Sequence, residues 1–248
     1  MRAKRFQNQR TSFSSDKSEE KASFLTNSDI FRHLNPEEIS ELEHMTTVIT
    51  CPPGRVLYRP GERGMTLFWL QSGCIQLYHL STDGRKLIIA TLGEGDCFGE
   101  VLLLGQDTYN CFAEAVNNST VCGMNKHDIE QILAQKPAVA FALLQKLGQR
   151  FVRLESQLLD TAFKGTLARL ATLLLHLARP QMNGKQTLVV DGLSHEELAE
   201  RLGVYRETVS TALRDLKETG AIELGRKHIT IIQQSLLETI AKADGKGA

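Results

Sequence analysis

Residues 194–217, SHEELAERLGVYRETVSTALRDLK, decide how this chain is read. Ser194 followed three residues later by Glu197 is the pattern of a capping box, so a helix is predicted to start there. Leu198, Ala199 and Leu202 share one face of that helix, and Gly203 follows where a left-handed residue would end it. A second helix restarts at Tyr205 or Arg206, with Val209, Ala212, Leu213 and Leu216 recurring at helical spacing as its buried stripe. Ala199 is small where the two helices would cross. Gly203 and Val209 fall four and ten residues after it, the spacing of a tight tri-helical unit. Arg206, Glu207, Ser210, Thr211 and Arg214 remain on the outward face. Arginine pairs bidentately with guanine, glutamate accepts from cytosine N4, and serine or threonine reaches bases or phosphates. These residue types suit a helix that enters a DNA groove; the rival reading is an ordinary helical hairpin with a charged solvent face.

Twenty-nine basic and 29 acidic residues cancel over the 248 positions, so bulk charge points to no polyanionic partner. A specific DNA reader need only concentrate charge on one face. From Lys164 onward the sequence holds 12 Lys or Arg against 10 Asp or Glu, which permits such a face without requiring it. No run of 18 apolar residues is present, so no membrane span is expected. The N-terminus has basic residues but no apolar stretch behind them, unlike a secretory signal. The five cysteines, Cys51, Cys74, Cys97, Cys111 and Cys122, are odd in number and lack CxxC spacing, which suits a reducing cytoplasm and suggests no metal site.

Residues 1–27, polar, charged and rich in serine, are expected to form a disordered tail. From 28 a helical stretch opens the first domain, with Asn35 as N-cap and Pro36 at the first helical position. Between Thr47 and Gly123 short apolar strands alternate with glycine and proline turns every 8–14 residues, the texture of a small β-sandwich or barrel. Residues 28–136 are assigned to this sensor-like domain. A long helix over 137–160 follows. Ala140, Leu144, Leu147, Phe151, Leu154 and Leu158 are spaced 4, 3, 4, 3 and 4, a coiled-coil seam whose other faces are polar. Leu144, Leu147, Phe151, Leu154 and Leu158 are the candidate dimer interface, and Asp160-Thr161 the candidate hinge. Residues 161–235 form the second domain: a helix at 164–178, the helix–turn–helix, and a hairpin wing around Gly225-Arg226-Lys227. Tyr205, Ser194 and the wing's Lys227 join the outward residues as candidate DNA contacts. Residues 236–248 are expected to be a C-terminal tail.

A glycine-punctuated β domain, a seam helix and a winged helix–turn–helix, in that order, resemble the bacterial Crp/Fnr family of transcriptional regulators. The resemblance covers roughly residues 28–233 and rests on PGRVLYRPGERG, LQSGCIQLYHLSTDGRKLIIATLGEGDCFGE and YRETVSTAL. It implies an α+β architecture: a cyclic-nucleotide-binding-like β-roll, a long central dimerisation helix and a C-terminal winged helix–turn–helix. It further implies a homodimer on double-stranded DNA at promoters, working with RNA polymerase. Arg206 and Glu207 match the family's base-reading Arg and Glu, and Ser210 matches a base-contacting Ser. Thr211 departs, because a second Arg is common there.

The resemblance thins at the effector site. Family members that bind cyclic AMP carry an Arg-Ser pair about ten residues after the FGE loop, where the Arg neutralises the cyclic phosphate. Gly99 and Glu100 keep the loop, but the Arg-Ser positions are Asn110 and Cys111. An amide and a thiol do not replace a charge-assisted grip on phosphate. The Thr-Ser pair that meets adenine is replaced by Leu154-Glu155. The expected effector is therefore not cyclic AMP: an unknown small molecule or none, with no cofactor. Haem held by an axial pair drawn from His33, His44, His79 and the cysteines, and thiol redox at Cys97, Cys111 or Cys122, are the alternatives of the same class. Cysteines upstream of Cys51, which an iron–sulfur cluster would need, are lacking. An enzyme finds no support: after His195-Glu196, position 199 is Ala, so HExxH is missing, and no P-loop or Gly-x-Ser-x-Gly occurs. A ligand-binding module without DNA affinity would give no reason for Arg206 and Glu207 to open a helix beside a basic wing.

Overall fold

Strand β3 (Thr66–Ser72, TLFWLQS) is apolar on both sides of its pleat, as a strand buried on both faces must be. Leu67 and Trp69 enter a core built with helices, while Phe68 stacks on Phe98 of its own sheet and on Tyr58 of a second sheet. The computed structural model describes residues 24–26, 28–181 and 187–243. It divides into two units, Met1–Tyr78 with Ala90–Arg150, and His79–Ile89 with Phe151–Ala248.

In the first unit β1 (Thr46–Cys51), β8 (Ser119–Asn125), β3 and β6 (Cys97–Phe98) form one sheet in that order. β2 (Val56–Tyr58), β7 (Phe112–Ala115), β4 (Ile75–Leu80) and β5 (Lys86–Leu92) form another, of which residues 79–80 and 86–89 are counted with the second unit. Tyr58 of the second sheet lies 6.1 Å from both Phe68 and Phe98 of the first, so the sheets face each other across an aromatic interior. Helix α1 (Pro36–Met45), helix α2 (Lys126–Gln135) and the start of helix α3 (Pro137–Phe163) bury Leu42, Ile129, Val139 and Leu143 with Trp69 and Phe31. Asn35 and Glu38 close a capping box at the start of α1, with Pro36 first in the helix as its fixed φ favours.

Two boundaries in this region differ from the sequence expectation. Phe24–Thr26 form a helical turn whose Leu25 is fully buried, so the fold starts before residue 28. The rest of the expected tail, residues 1–23 and 27, lies outside the described residues. α3 runs through Asp160-Thr161 to Phe163 without a hinge there. The Thr161 hydroxyl donates to the Gln157 carbonyl at 2.9 Å and Asp160 pairs with Lys164 at 2.8 Å, both within helical reach. The break comes at Gly165, the N-cap of helix α4 (Thr166–Leu177).

The second unit sets α4, α5 (His195–Leu202) and α6 (Arg206–Glu218) around one core. Beside them, β9 (Arg179–Pro180), β10 (Leu188–Asp191), β11 (Ile222–Gly225) and β12 (His228–Ile231) form a sheet in the order β11-β12-β10-β9. Helix α7 (Gln234–Ala241) replaces the first part of the expected C-terminal tail, residues 236–241; residues 244–248 lie outside the described residues. Leu237 and Ala241 are buried in the core, and α7 packs on α4. The apolar pairs Leu236-Leu237 and Ile240-Ala241, four residues apart, carry the helical spacing that makes this possible.

Leu237→Ala should therefore cost about 2–5 kcal/mol of stability in a denaturant titration, as deletion of a buried leucine does. A cost below about 0.5 kcal/mol, typical of a surface site, would return this segment to a tail.

Candidate nucleic-acid interface

The helix–turn–helix is fixed at its entry by a reciprocal cap. The Glu197 amide donates to Ser194 Oγ at 3.2 Å, and the Ser194 amide and hydroxyl each donate to Glu197 Oε2 at 2.7 Å. Burial alone would raise the Glu197 pKa, but the bonds from Ser194, with Lys227 and Arg201 nearby, hold it below the ordinary value. That contribution to stability is present at neutral pH and is lost as the pH falls through the carboxylate range. Gly203 closes α5 at φ 67°, a left-handed conformation natural to glycine. From α4, Arg169 donates to the Leu202 carbonyl at the C-terminus of α5, where a cation suits the helix dipole. Tyr205 then N-caps α6 without a side-chain bond.

α6 divides its faces as its pattern requires. Val209, Ala212, Leu213 and Leu216 are buried against α4 and α5, while Arg206, Glu207, Thr211 and Arg214 are exposed. Tyr205 is also exposed, with its hydroxyl donating to Asp83 at 3.3 Å within the same unit. Ser210 is half-buried and engaged: its hydroxyl lies 3.0 Å from the Arg206 carbonyl and 2.9 Å from His195 Nδ1. Sequence reasoning does not reach His195 as a member of this group, because no one-dimensional pattern links a residue in the first helix to one 15 positions later. Ser194 sits beside it, but its hydroxyl is spent on the cap. At the tip between β11 and β12, Arg226 and Lys227 are exposed, and Lys227 takes a left-handed φ of 52°. Its carbonyl accepts from the Gly192 amide at 2.9 Å, which ties the wing to the end of β10.

The seam of α3 is uncovered. Leu144, Phe151 and Leu158 are 65%, 67% and 68% exposed, and Leu154 is 40% exposed. Leu147 instead packs partly into the first unit's own core. Phe141, Val152, Leu159 and Phe163, also exposed, widen the apolar face beyond the expected seam.

In the β-roll the candidate effector residues separate. Gly99 has φ 86°, and a Cβ there would stand 2.6 Å from the Thr66 carbonyl, so packing alone accounts for this glycine. Glu100 meets Arg150 of α3, with 3.1 Å between Oε1 and Nη1, an ion pair held by charge without a well-aligned hydrogen bond. Asn110 is exposed and Cys111 buried, so these two candidate residues turn in opposite directions. Tyr58 and Tyr109 stack at 3.8 Å in the same interior, and Tyr109 donates to the Thr66 carbonyl at 2.9 Å. Burial, reinforced by the Glu100 charge, pushes the Cys97 thiol up to about 12 and the Cys111 thiol up to about 11. Thiols react as thiolates, so these two are suited to packing and not to redox sensing. Among the described residues no three His, Cys, Asp or Glu side chains gather as a metal set. No helix among them is long and apolar enough to cross a membrane. Alkylation of Cys97 at pH 8 should be at least ~100-fold slower in the folded protein than in the unfolded chain, because the raised pKa starves it of thiolate. Equal rates would contradict its buried, protonated state.

The family model of the cyclic nucleotide-binding domain matches residues 48–136, and that of the Crp-like helix-turn-helix domain matches residues 168–240. A CRP-like cAMP-activated global transcriptional regulator from Mycobacterium tuberculosis is 28% identical over 220 residues, covering 88% of this chain and 98% of that protein. A cyclic AMP receptor protein from Thermus thermophilus is 29% identical over 217 residues, with the same shares covered. Among solved structures, a CRP-family transcriptional regulator from Thermus thermophilus superposes with a TM-score of 0.65 at 25% identity, covering 81% of this chain and all of that one. With its β-roll, long helix and helix–turn–helix in the family's order, the chain belongs to the Crp/Fnr family of transcriptional regulators.

Proposed function

We propose that this chain is a sequence-specific transcription regulator that binds palindromic promoter sites as a homodimer in the cytoplasm, and that its effector is not cyclic AMP. The outward face of α6 carries the reading. Arg206, Glu207, Thr211 and Arg214 stand exposed on a helix whose opposite stripe is locked into the core. That arrangement leaves their polar groups available for base edges and phosphates. The basic wing tip at Arg226 and Lys227 suits a neighbouring phosphate. The homodimer is supported by the uncovered apolar face of α3, since a two-stranded coil buries a seam repeating every 3.5 residues.

Against cyclic AMP stands the chemistry of the candidate effector residues. Asn110 and Cys111 supply no cation for a phosphate, and Arg150 is already paired with Glu100. The raised thiol pKa values argue against a redox switch at Cys97 or Cys111. An effector of chemistry other than cyclic AMP, or none, is the reading these positions favour.

Mobility shifts on duplexes selected from a random pool should show tight binding that weakens steeply with salt, as displaced counterions demand. Arg206→Ala should lose about 1–3 kcal/mol of specific binding and relax the preference at one base pair per half-site. An unchanged preference would remove Arg206 from base reading. Phe151→Asp combined with Leu158→Asp should give monomers in sedimentation velocity with each unit still folded. Those positions are chosen because Leu147, partly buried in its own unit, would confuse misfolding with dissociation. A dimer surviving both changes would place the interface elsewhere.

A further inference from the structure

Ser210 stands at the junction of α5 and α6 with a single hydroxyl hydrogen and two neighbours that compete for it. The Arg206 carbonyl, 3.0 Å away, can only accept. His195 Nδ1, 2.9 Å away, accepts or donates according to its tautomer. If Nδ1 carries a proton, it donates to Oγ, and the hydroxyl donates to the Arg206 carbonyl. If Nδ1 is bare, it takes the hydroxyl hydrogen itself. In either state the hydrogen stays inside the protein and Oγ has only lone pairs left to present outward.

We infer that His195 is a specificity-determining residue of the DNA-reading surface: it holds Ser210 as an obligate hydrogen-bond acceptor. This rests on the proposed reading of α6 as the recognition helix. An acceptor in the major groove finds partners at adenine N6 and cytosine N4, whereas the groove atoms of guanine and the O4 of thymine are themselves acceptors. Phosphate oxygens also only accept, so Ser210 in this state is matched to a base and not to the backbone. Its base step is biased towards A or C on the strand it faces. His195 is held in place for this by the Ser194–Glu197 cap, which fixes the first turn of α5, and by the packing of Leu198 and Ala199 against the stripe of α6. His195 acts through Ser210 and is a positioning residue.

The test uses the full chain, duplex pools selected from random sequence, and the variants Ser210→Ala, His195→Ala, His195→Asn and Arg206→Ala, each first checked by thermal unfolding. In the wild type, one step per half-site should favour A or C and lose that preference in Ser210→Ala. His195→Ala should weaken the same preference about threefold or more, the scale of one hydrogen bond, with the other steps unchanged. His195→Asn, whose amide places a nitrogen near the site of Nδ1, should restore it. Enrichment of G or T at the Ser210-dependent step would overturn the inference. An even loss of affinity across all sequences in His195→Ala, with the preference intact, would overturn it too. Arg206→Ala separates the two levels: if it alters selection while His195→Ala does not, the acceptor assignment fails and the recognition helix stands. If the wild type selects no sequence, the recognition-helix reading fails and takes the inference with it.

Discussion

Everything that α6 can do outward depends on the packing of its inner stripe. Val209, Ala212, Leu213 and Leu216 are locked against α4 and α5, which fixes the rotation of the helix about its own axis. A rotation of one residue would move the reading face by about 100°, turning it towards Thr208 and Asp215 and away from Arg206. The stripe is secured at both ends of α5, by the Ser194–Glu197 cap at its start and by Arg169 on its last carbonyl. The rigidity of the core is what turns a few exposed polar side chains into a defined pattern of donors and acceptors.

The β-roll matches the family's cyclic nucleotide-binding domain and is filled with aromatic rings. Stacked aromatic rings occupy the space between its two sheets, and the FGE loop is explained in part by backbone demands at Gly99. Glu100 reaches Arg150 on α3, so the loop is tied directly to the long helix. α3 therefore carries both the cation that pairs with Glu100 and the uncovered apolar face proposed to pair two chains.

The helix–turn–helix is legible in sequence because its determinants are local: a cap three residues long, a glycine, and two stripes at helical spacing. The β domain is legible from its turn punctuation, although glycine at a turn announces a strand end without revealing which strands pair. What stays hidden is long-range. The contact between His195 and Ser210, the ion pair of Glu100 with Arg150 and the aromatic interior each join residues far apart in the chain. Element ends escape sequence reading where a local rule meets a tertiary partner. Asp160-Thr161 interrupts the apolar seam and so suggests a break, yet Thr161 satisfies its hydroxyl within the helix. The segment after Gln233 is short enough to suggest a tail, yet its leucines have a core to enter.

The central claim is that two copies of this chain present two copies of α6 to one face of a duplex. Hydroxyl-radical footprinting of the full-length protein on a selected duplex tests it most directly. The account predicts two protected stretches related by a dyad, their centres about one helical turn apart (roughly 34 Å). A single protected stretch without dyad symmetry at saturating protein would contradict it.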